Sequence, residues 1–165
     1  MKKGFRTFQP QNNAWDTQLY FPTPLPFLEE WRTNIAAAQQ EFANLSIKER
    51  AAFLLGLATE LLAAKDDIQL LYCQESGLSK KRFEAEFDRT HQTLLRFASH
   101  LENHLWEKSE TLEADSIQLT KRKLPIGPVL VLGSSNFPLA YSTLGGDTVA
   151  AFAAGCCVVL KAHPM

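Results

Sequence analysis

Two stretches decide the fold: Val129-Leu130-Val131-Leu132-Gly133-Ser134-Ser135-Asn136-Phe137-Pro138 and Ala153-Ala154-Gly155-Cys156-Cys157-Val158-Val159-Leu160-Lys161. Each holds a continuous apolar run, Val129 to Leu132 and Cys157 to Leu160, which is the pattern of a strand buried on both faces. Between them, Pro138 can begin a helix that runs to about Ala154 and stops at Gly155. Strand, helix and strand within so short a span make a βαβ unit, the building block of a parallel sheet. Leu124-Pro125-Ile126-Gly127-Pro128 is the breaker that separates this unit from what precedes it. The expected class is therefore α/β.

Upstream the periodicity changes. Ser116 to Lys121 alternates polar and apolar residues with period two, as a half-solvated strand does. Before Trp106 the pattern is helical. Leu28, Trp31, Ile35, Ala38 and Phe42 recur at steps of three and four, with Asn44 as the stop. Ser46-Ile47-Lys48-Glu49 is a capping box ahead of the stripe Ala51, Leu54, Leu55, Ala58, Leu61 and Leu62. Asp66 or Asp67 can cap a third helix ending at Gly77, and Ser79 opens a long fourth one carrying Phe83, Phe87, Leu94, Phe97, Leu101 and Leu105. Residues 1–27 hold four of the eight prolines and read as an extended leader. The organisation expected is leader (1–27), helical hairpins (28–108), an extended strand region (109–127) and the βαβ unit (128–165). Two parallel strands do not make an independent sheet, so the chain reads as the front of a longer protein.

Composition removes several function classes. Seventeen basic against eighteen acidic residues give a net charge of −1, which argues against nucleic-acid binding. The apolar runs fall short of a membrane span, and Met1-Lys2-Lys3-Gly4-Phe5 has no apolar segment behind it, so a cytoplasmic protein is expected. Three cysteines are no disulfide framework. Cys156 and Cys157 at a helix end, and Cys73 within a helix, read as small buried side chains rather than nucleophiles. His100 and His104 stand one helical turn apart, but no third ligand is near them and surface histidines are the expectation, so no metal site is assigned. Lys80-Lys81-Arg82, with Glu84 and Glu86 compensating, reads as a solvated turn, and the eleven phenylalanines read as core.

Chemistry is expected beyond the carboxyl ends of the strands, where open parallel sheets place their ligands. Those ends carry Gly133 to Pro138 and Lys161-Ala162-His163-Pro164, with neither G-x-G-x-x-G nor a P-loop in the chain. Lys161 at the second strand end either meets a 2′-phosphate, pointing to NADP, or is a solvent-facing lysine. Asn136 either donates its amide to an oxyanion or holds an Asx turn before Pro138. Gly145-Gly146, within the helix, suggests either a close helix–strand or helix–ligand approach or a local irregularity.

The P-x-G breaker before a strand, the N-F-P tip at Asn136 to Pro138, and the A-A-G-x-x-V-V-x-K run from Ala153 to Lys161 resemble the aldehyde dehydrogenase superfamily. Gly133 to Leu139, Gly145 to Thr148 and Lys161 to Pro164 resemble its α-ketoglutaric semialdehyde (2,5-dioxovalerate) dehydrogenase branch. Most relatives carry an aromatic residue where Ser135 stands and a glutamate where Pro164 stands. The resemblance implies the N-terminal part of an aldehyde dehydrogenase fold, with helical hairpins and then the first βαβ unit of a Rossmann-like sheet. In it residues 28–108 belong to the cofactor-binding domain and 109–127 to an oligomerisation region. It implies Asn136 as oxyanion donor, and Gly133, Ser134, Ser135, Lys161 and His163 as cofactor contacts. NADP is favoured over NAD, since loss of the glutamate at Pro164 removes a ribose acceptor. A small aldehyde substrate and a homo-oligomeric full-length form follow. The family's nucleophilic cysteine and general-base glutamate lie beyond Met165, so the chain alone is expected to be inactive. The alternatives are a non-catalytic remnant or nucleotide- or partner-binding module, and an aldehyde dehydrogenase of another substrate branch.

Overall fold

A computed structural model describes residues 4–103, 110–114, 117–121 and 123–163. The leader holds a short hairpin, β1 (Phe8–Gln9) against β2 (Ala14–Trp15), rather than plain extended chain. Four helices follow: α1 (Leu25–Ala43), α2 (Ile47–Ala63), α3 (Lys65–Ser76) and α4 (Lys80–Glu102). Next come an antiparallel pair, β3 (Glu110–Ala114) with β4 (Ile117–Lys121), and the unit β5 (Val129–Leu132), α5 (Gly146–Ala153) and β6 (Val158–Lys161). β5 and β6 pair in parallel, Val129 opposite Val158 and Leu132 opposite Lys161. Among the described residues no helix is long and apolar enough to cross a membrane.

Local signals set most helix ends. Ser46 Oγ accepts from the Glu49 amide at 3.2 Å while Glu49 Oε2 accepts from the Ser46 amide at 2.7 Å, the reciprocal capping box. Ser79 Oγ accepts from the Arg82 amide, and Gly77 ends α3 in the left-handed conformation. The third helix starts differently from expectation. Ala64 occupies its N-cap, and Asp66 and Asp67 lie in its first turn, where negative charge meets the positive helix end.

α5 is also shorter than expected. Residues 138–145 form turns, and the helix begins only at Gly146. The cause is a reversal of chain at Gly145, where a Cβ would lie 2.5 Å from the Ala140 carbonyl oxygen. The Gly145 amide donates to Ser142 O and the Gly146 amide to Ala140 O. A helix running through these residues would abolish that crossing.

The core lies between α2, α4 and α5. Leu54, Phe83, Phe87, Leu94, Leu101 and Val149 are fully buried within it, and α5 separates this helix pair from the β5–β6 sheet. Two polar side chains tie the turn before β6 to the helices. Gln39 Nε2 donates to Gly155 O and Gln39 Oε1 accepts from the Cys157 amide, at 2.9 and 2.7 Å. Arg50 Nη1 donates to Ala153 O at 2.8 Å.

Two burial expectations are corrected. Leu130 and Leu132 are both 64% exposed, so β5 is not covered on both faces by the described residues. α1 has no buried residue, and Leu28 and Trp31 on its apolar stripe stay exposed. Its stripe instead overhangs the sheet, leaving an apolar cavity of about 570 Å³ lined by Trp31, Ile35, Val129, Leu130 and Val159 among others. The phenylalanines divide likewise: Phe83 and Phe87 are core, whereas Phe21 and Phe27 are exposed.

Two predictions test these devices. The Ser46 hydrogen bonds, side chain first and then backbone, hold the Glu49 carboxyl below its ordinary value of 4.5. A depressed folded-state value contributes stability that is present above the unfolded value and lost as pH falls through the folded one. Glu49→Gln is thus expected to lower the thermal midpoint at pH 7, with the difference from wild type closing in acid below pH 4.5. At Gly133 a Cβ would meet the His163 amide nitrogen at 2.9 Å and Ser142 Oγ at 3.1 Å, whereas at Gly146 it meets nothing within 4 Å. Chemical denaturation should show Gly133→Ala destabilised by about 1–3 kcal/mol, with Gly146→Ala close to wild type.

Candidate functional site

The parallel strands end side by side, and the Gly133 amide donates to Lys161 O at 2.9 Å to close the ladder one residue past β5. Without a side chain, Gly133 lets the β5 loop pass close to the His163 backbone and Ser142. Ser134, Ser135, Ser142 and His163 then line one side of a cavity of about 440 Å³, with Tyr72 and Glu75 of α3 on the other. This cavity mixes polar and apolar walls and lies at the carboxyl ends of the strands. It therefore has the character of a ligand site more than the apolar gap under α1 does. Lys161 is exposed at the end of β6, and neither it nor Gly133 nor Asn136 lines the cavity. Among the described residues no group of three or more His, Cys, Asp or Glu side chains is placed to hold a metal ion.

Asn136 is exposed, and its side-chain oxygen accepts a short hydrogen bond from the Ser134 hydroxyl. With the oxygen engaged by Ser134, the amide NH₂ remains available as a donor. The bond ties two side chains of the loop and is not an Asx turn, for which Pro138, two residues on, has no N–H to donate.

α4 grips the loop from outside. Arg82 Nη2 donates to the Asn136 carbonyl at 3.4 Å, and its guanidinium lies 4.2 Å from the centre of the Phe137 ring. Phe137 meets Tyr141 edge to face at 5.0 Å, and Arg89 Nη2 donates to the Tyr141 hydroxyl at 2.6 Å. Between them Glu86, only 3% exposed, accepts from the Leu139 and Ala140 amides through Oε1 at 2.7 and 2.9 Å. Its Oε2 accepts from the Tyr72 hydroxyl at 2.7 Å and faces Arg82 Nε at 3.8 Å. Burial, and then the bond to Glu86, push the Tyr72 hydroxyl upward, so it remains a proton donor.

Sequence reasoning missed this grip. It placed Arg82 and Glu86 in a solvated charge cluster, whereas both face the loop. The signal lay in their spacing with Arg89: four residues, then three, puts all three on one side of α4. Glu75 was missed as well. Burial, then the charge of Asp16, raises its carboxyl above the ordinary value. Cys156 is buried, and the Cys157 thiol is pushed up by burial and then by Cys156, away from the reactive thiolate. His100 is exposed, and His104 lies outside the described residues.

The chain is similar to known proteins in sequence and in fold. Alpha-ketoglutaric semialdehyde dehydrogenase of Acinetobacter baylyi is 38% identical over 168 aligned positions, covering 92% of this chain and 31% of that protein. Alpha-ketoglutaric semialdehyde dehydrogenase 2 of Azospirillum brasilense is 39% identical over 121 positions, covering 69% of this chain and 23% of its own length. The chain thus spans less than a third of the curated relatives it matches, in their N-terminal part. The crystal structure of an E. coli NADP-dependent enzyme superposes with a TM-score of 0.83 at 22% identity, over 96% of this chain and 32% of that one. The sequence profile of the aldehyde dehydrogenase family matches residues 28–165, the helices together with the strand ends and the loop just described, and the chain belongs to that family.

Proposed function

We propose that this chain is the front portion of an NADP-dependent aldehyde dehydrogenase that oxidises α-ketoglutaric semialdehyde, or a closely similar aldehyde, to the carboxylate. One observation supports the reading: Asn136 stands exposed beyond the end of β5 with its side-chain oxygen held by Ser134, which leaves the NH₂ as its donor. In that place it donates to the oxyanion that forms when a cysteine thiolate adds to the aldehyde carbonyl. The thiolate and the glutamate that activates water for thioester hydrolysis belong to the remainder of the enzyme, so residues 1–165 alone do not turn over aldehyde. The similarity to two α-ketoglutaric semialdehyde dehydrogenases supports the substrate class.

The cofactor fits what the strand ends offer. The missing Cβ at Gly133 lets the two strand-end loops come together, Ser134, Ser135 and His163 supply polar groups to the cavity, and Lys161 supplies a cation at the end of β6. When bound, the nicotinamide dinucleotide supplies the hydride acceptor. Lys161 selects NADP by meeting the 2′-phosphate, a role for which no carboxylate stands nearby in the 161–163 segment. β3 and β4, within residues 109–127, form the oligomerisation region of a cytoplasmic homo-oligomer, and residues 28–108 and 128–165 form the cofactor domain.

The test uses the complete enzyme. Asn136→Ala is expected to lower kcat by about a hundredfold or more with little change in cofactor KM, and a loss smaller than about tenfold refutes the oxyanion role. Lys161→Glu is expected to raise KM for NADP about tenfold or more while leaving KM for NAD nearly unchanged. Equal shifts for both cofactors would remove Lys161 from the specificity reading.

A further inference from the structure

We infer that Glu86 is the positioning residue of the Asn136 donor, holding the 136–141 loop in a single geometry through the Leu139 and Ala140 amides. The inference rests on the reading of Asn136 given above and extends it to a residue that touches neither substrate nor cofactor.

A carboxylate inside a helical core is costly unless donors surround it. Glu86 has them: two backbone amides on Oε1, the Tyr72 hydroxyl on Oε2, and Arg82 beyond. The two amides belong to residues just after Pro138, where the chain turns before α5 and has no ladder or helix to satisfy them. Glu86 therefore takes the part that secondary structure plays elsewhere. Pro138 limits rotation immediately before the gripped amides. On the far side of Pro138, Arg82 clamps Phe137 and the Asn136 carbonyl. The loop is thus held on both sides of Pro138 by one face of α4, and the donor needs no reorganisation when charge develops nearby. A loop free to shift by about 1 Å would lose on the order of a hundredfold in rate from misplacement alone.

The identity of the side chain gives the test its resolution. In Glu86→Gln the amide oxygen can still accept from both backbone amides, and its NH₂ can donate to the Tyr72 oxygen. In Glu86→Ala the two amides lose their acceptor. In the complete enzyme, Glu86→Ala is expected to lower kcat about tenfold or more with cofactor KM within about twofold of wild type, and Glu86→Gln to restore most of the loss. Amide exchange of a peptide spanning residues 136–141 should quicken in Glu86→Ala and return toward wild type in Glu86→Gln.

If Glu86→Ala does not fold, Tyr72→Phe, which removes one donor from Oε2, supplies the second comparison. A fall in kcat at unchanged cofactor KM, with faster exchange at 136–141, supports the inference. An unchanged kcat in Glu86→Ala, or loss of cofactor binding and kcat together with unchanged exchange at 136–141, overturns it. An unmodified enzyme that oxidises no aldehyde overturns the reading of Asn136 and this inference with it. An active enzyme indifferent to Glu86 overturns this inference alone.

Discussion

The buried carboxylate of Glu86 is the constraint around which the site end of this structure is arranged. Its side chain is accommodated in the core because two backbone amides, a phenol and a guanidinium converge on it. Those partners come from α3, from α4 and from the turn after Pro138, so one side chain fixes three separate pieces of chain. Removing such a group does more than delete contacts, because it leaves donors without an acceptor in a place water does not reach. The same arrangement explains why Tyr72 keeps its proton: its hydroxyl is both buried and committed to Glu86.

The other end of the βαβ unit is held by similar means. Gln39 and Arg50 reach from α1 and α2 to the carbonyls and amide around Gly155, a turn that has no ladder of its own. Phe42, Phe53 and Phe152 close a three-ring cluster beside it, with centroids 5.2 to 5.6 Å apart. The unit is therefore clamped at both ends of α5 by polar side chains from helices far away in sequence. Apolar packing supplies the bulk of the stabilisation, but it is non-directional. Register between the helical layer and the sheet is set by these few directional bonds.

What the sequence disclosed follows from how local each signal is. The capping box at Ser46, the left-handed stop at Gly77 and the paired apolar runs of β5 and β6 depend on a handful of adjacent residues, and each was read correctly. The late start of α5 was not readable, because it depends on Ala140 crossing under Gly145 and on an acceptor from α4. The glycine pair does point to a close approach or a local irregularity, and Gly145 against the Ala140 backbone is both, but the pair does not say where the helix begins. Glu86 was misread for a related reason. A glutamate beside lysines has the same composition whether it faces water or a distant turn, and only tertiary structure tells the two apart. Of the residues the sequence singles out at the strand ends, Ser134, Ser135 and His163 line the cavity, while its α3 wall and the α4 grip on its loop depend on tertiary structure.

The exposure of the sheet carries the argument one step further. Val129 to Leu132 has the composition of a strand covered on both faces, yet in the described residues one face meets only α5 and the other is open beneath the overhanging α1. The apolar stripe of α1 has the same mismatch, with Leu28 and Trp31 standing out of any core. Two independent elements that are apolar, exposed and directed at the same cavity of about 570 Å³ have sequences suited to more cover than these residues give. The relatives, of which this chain spans less than a third, are long enough to contain that cover. The candidate site differs. Its loop is held by Glu86, Arg82 and Arg89 of α4 from within the chain, so the backbone at Asn136 rests on the helical layer and not on the cover of the sheet.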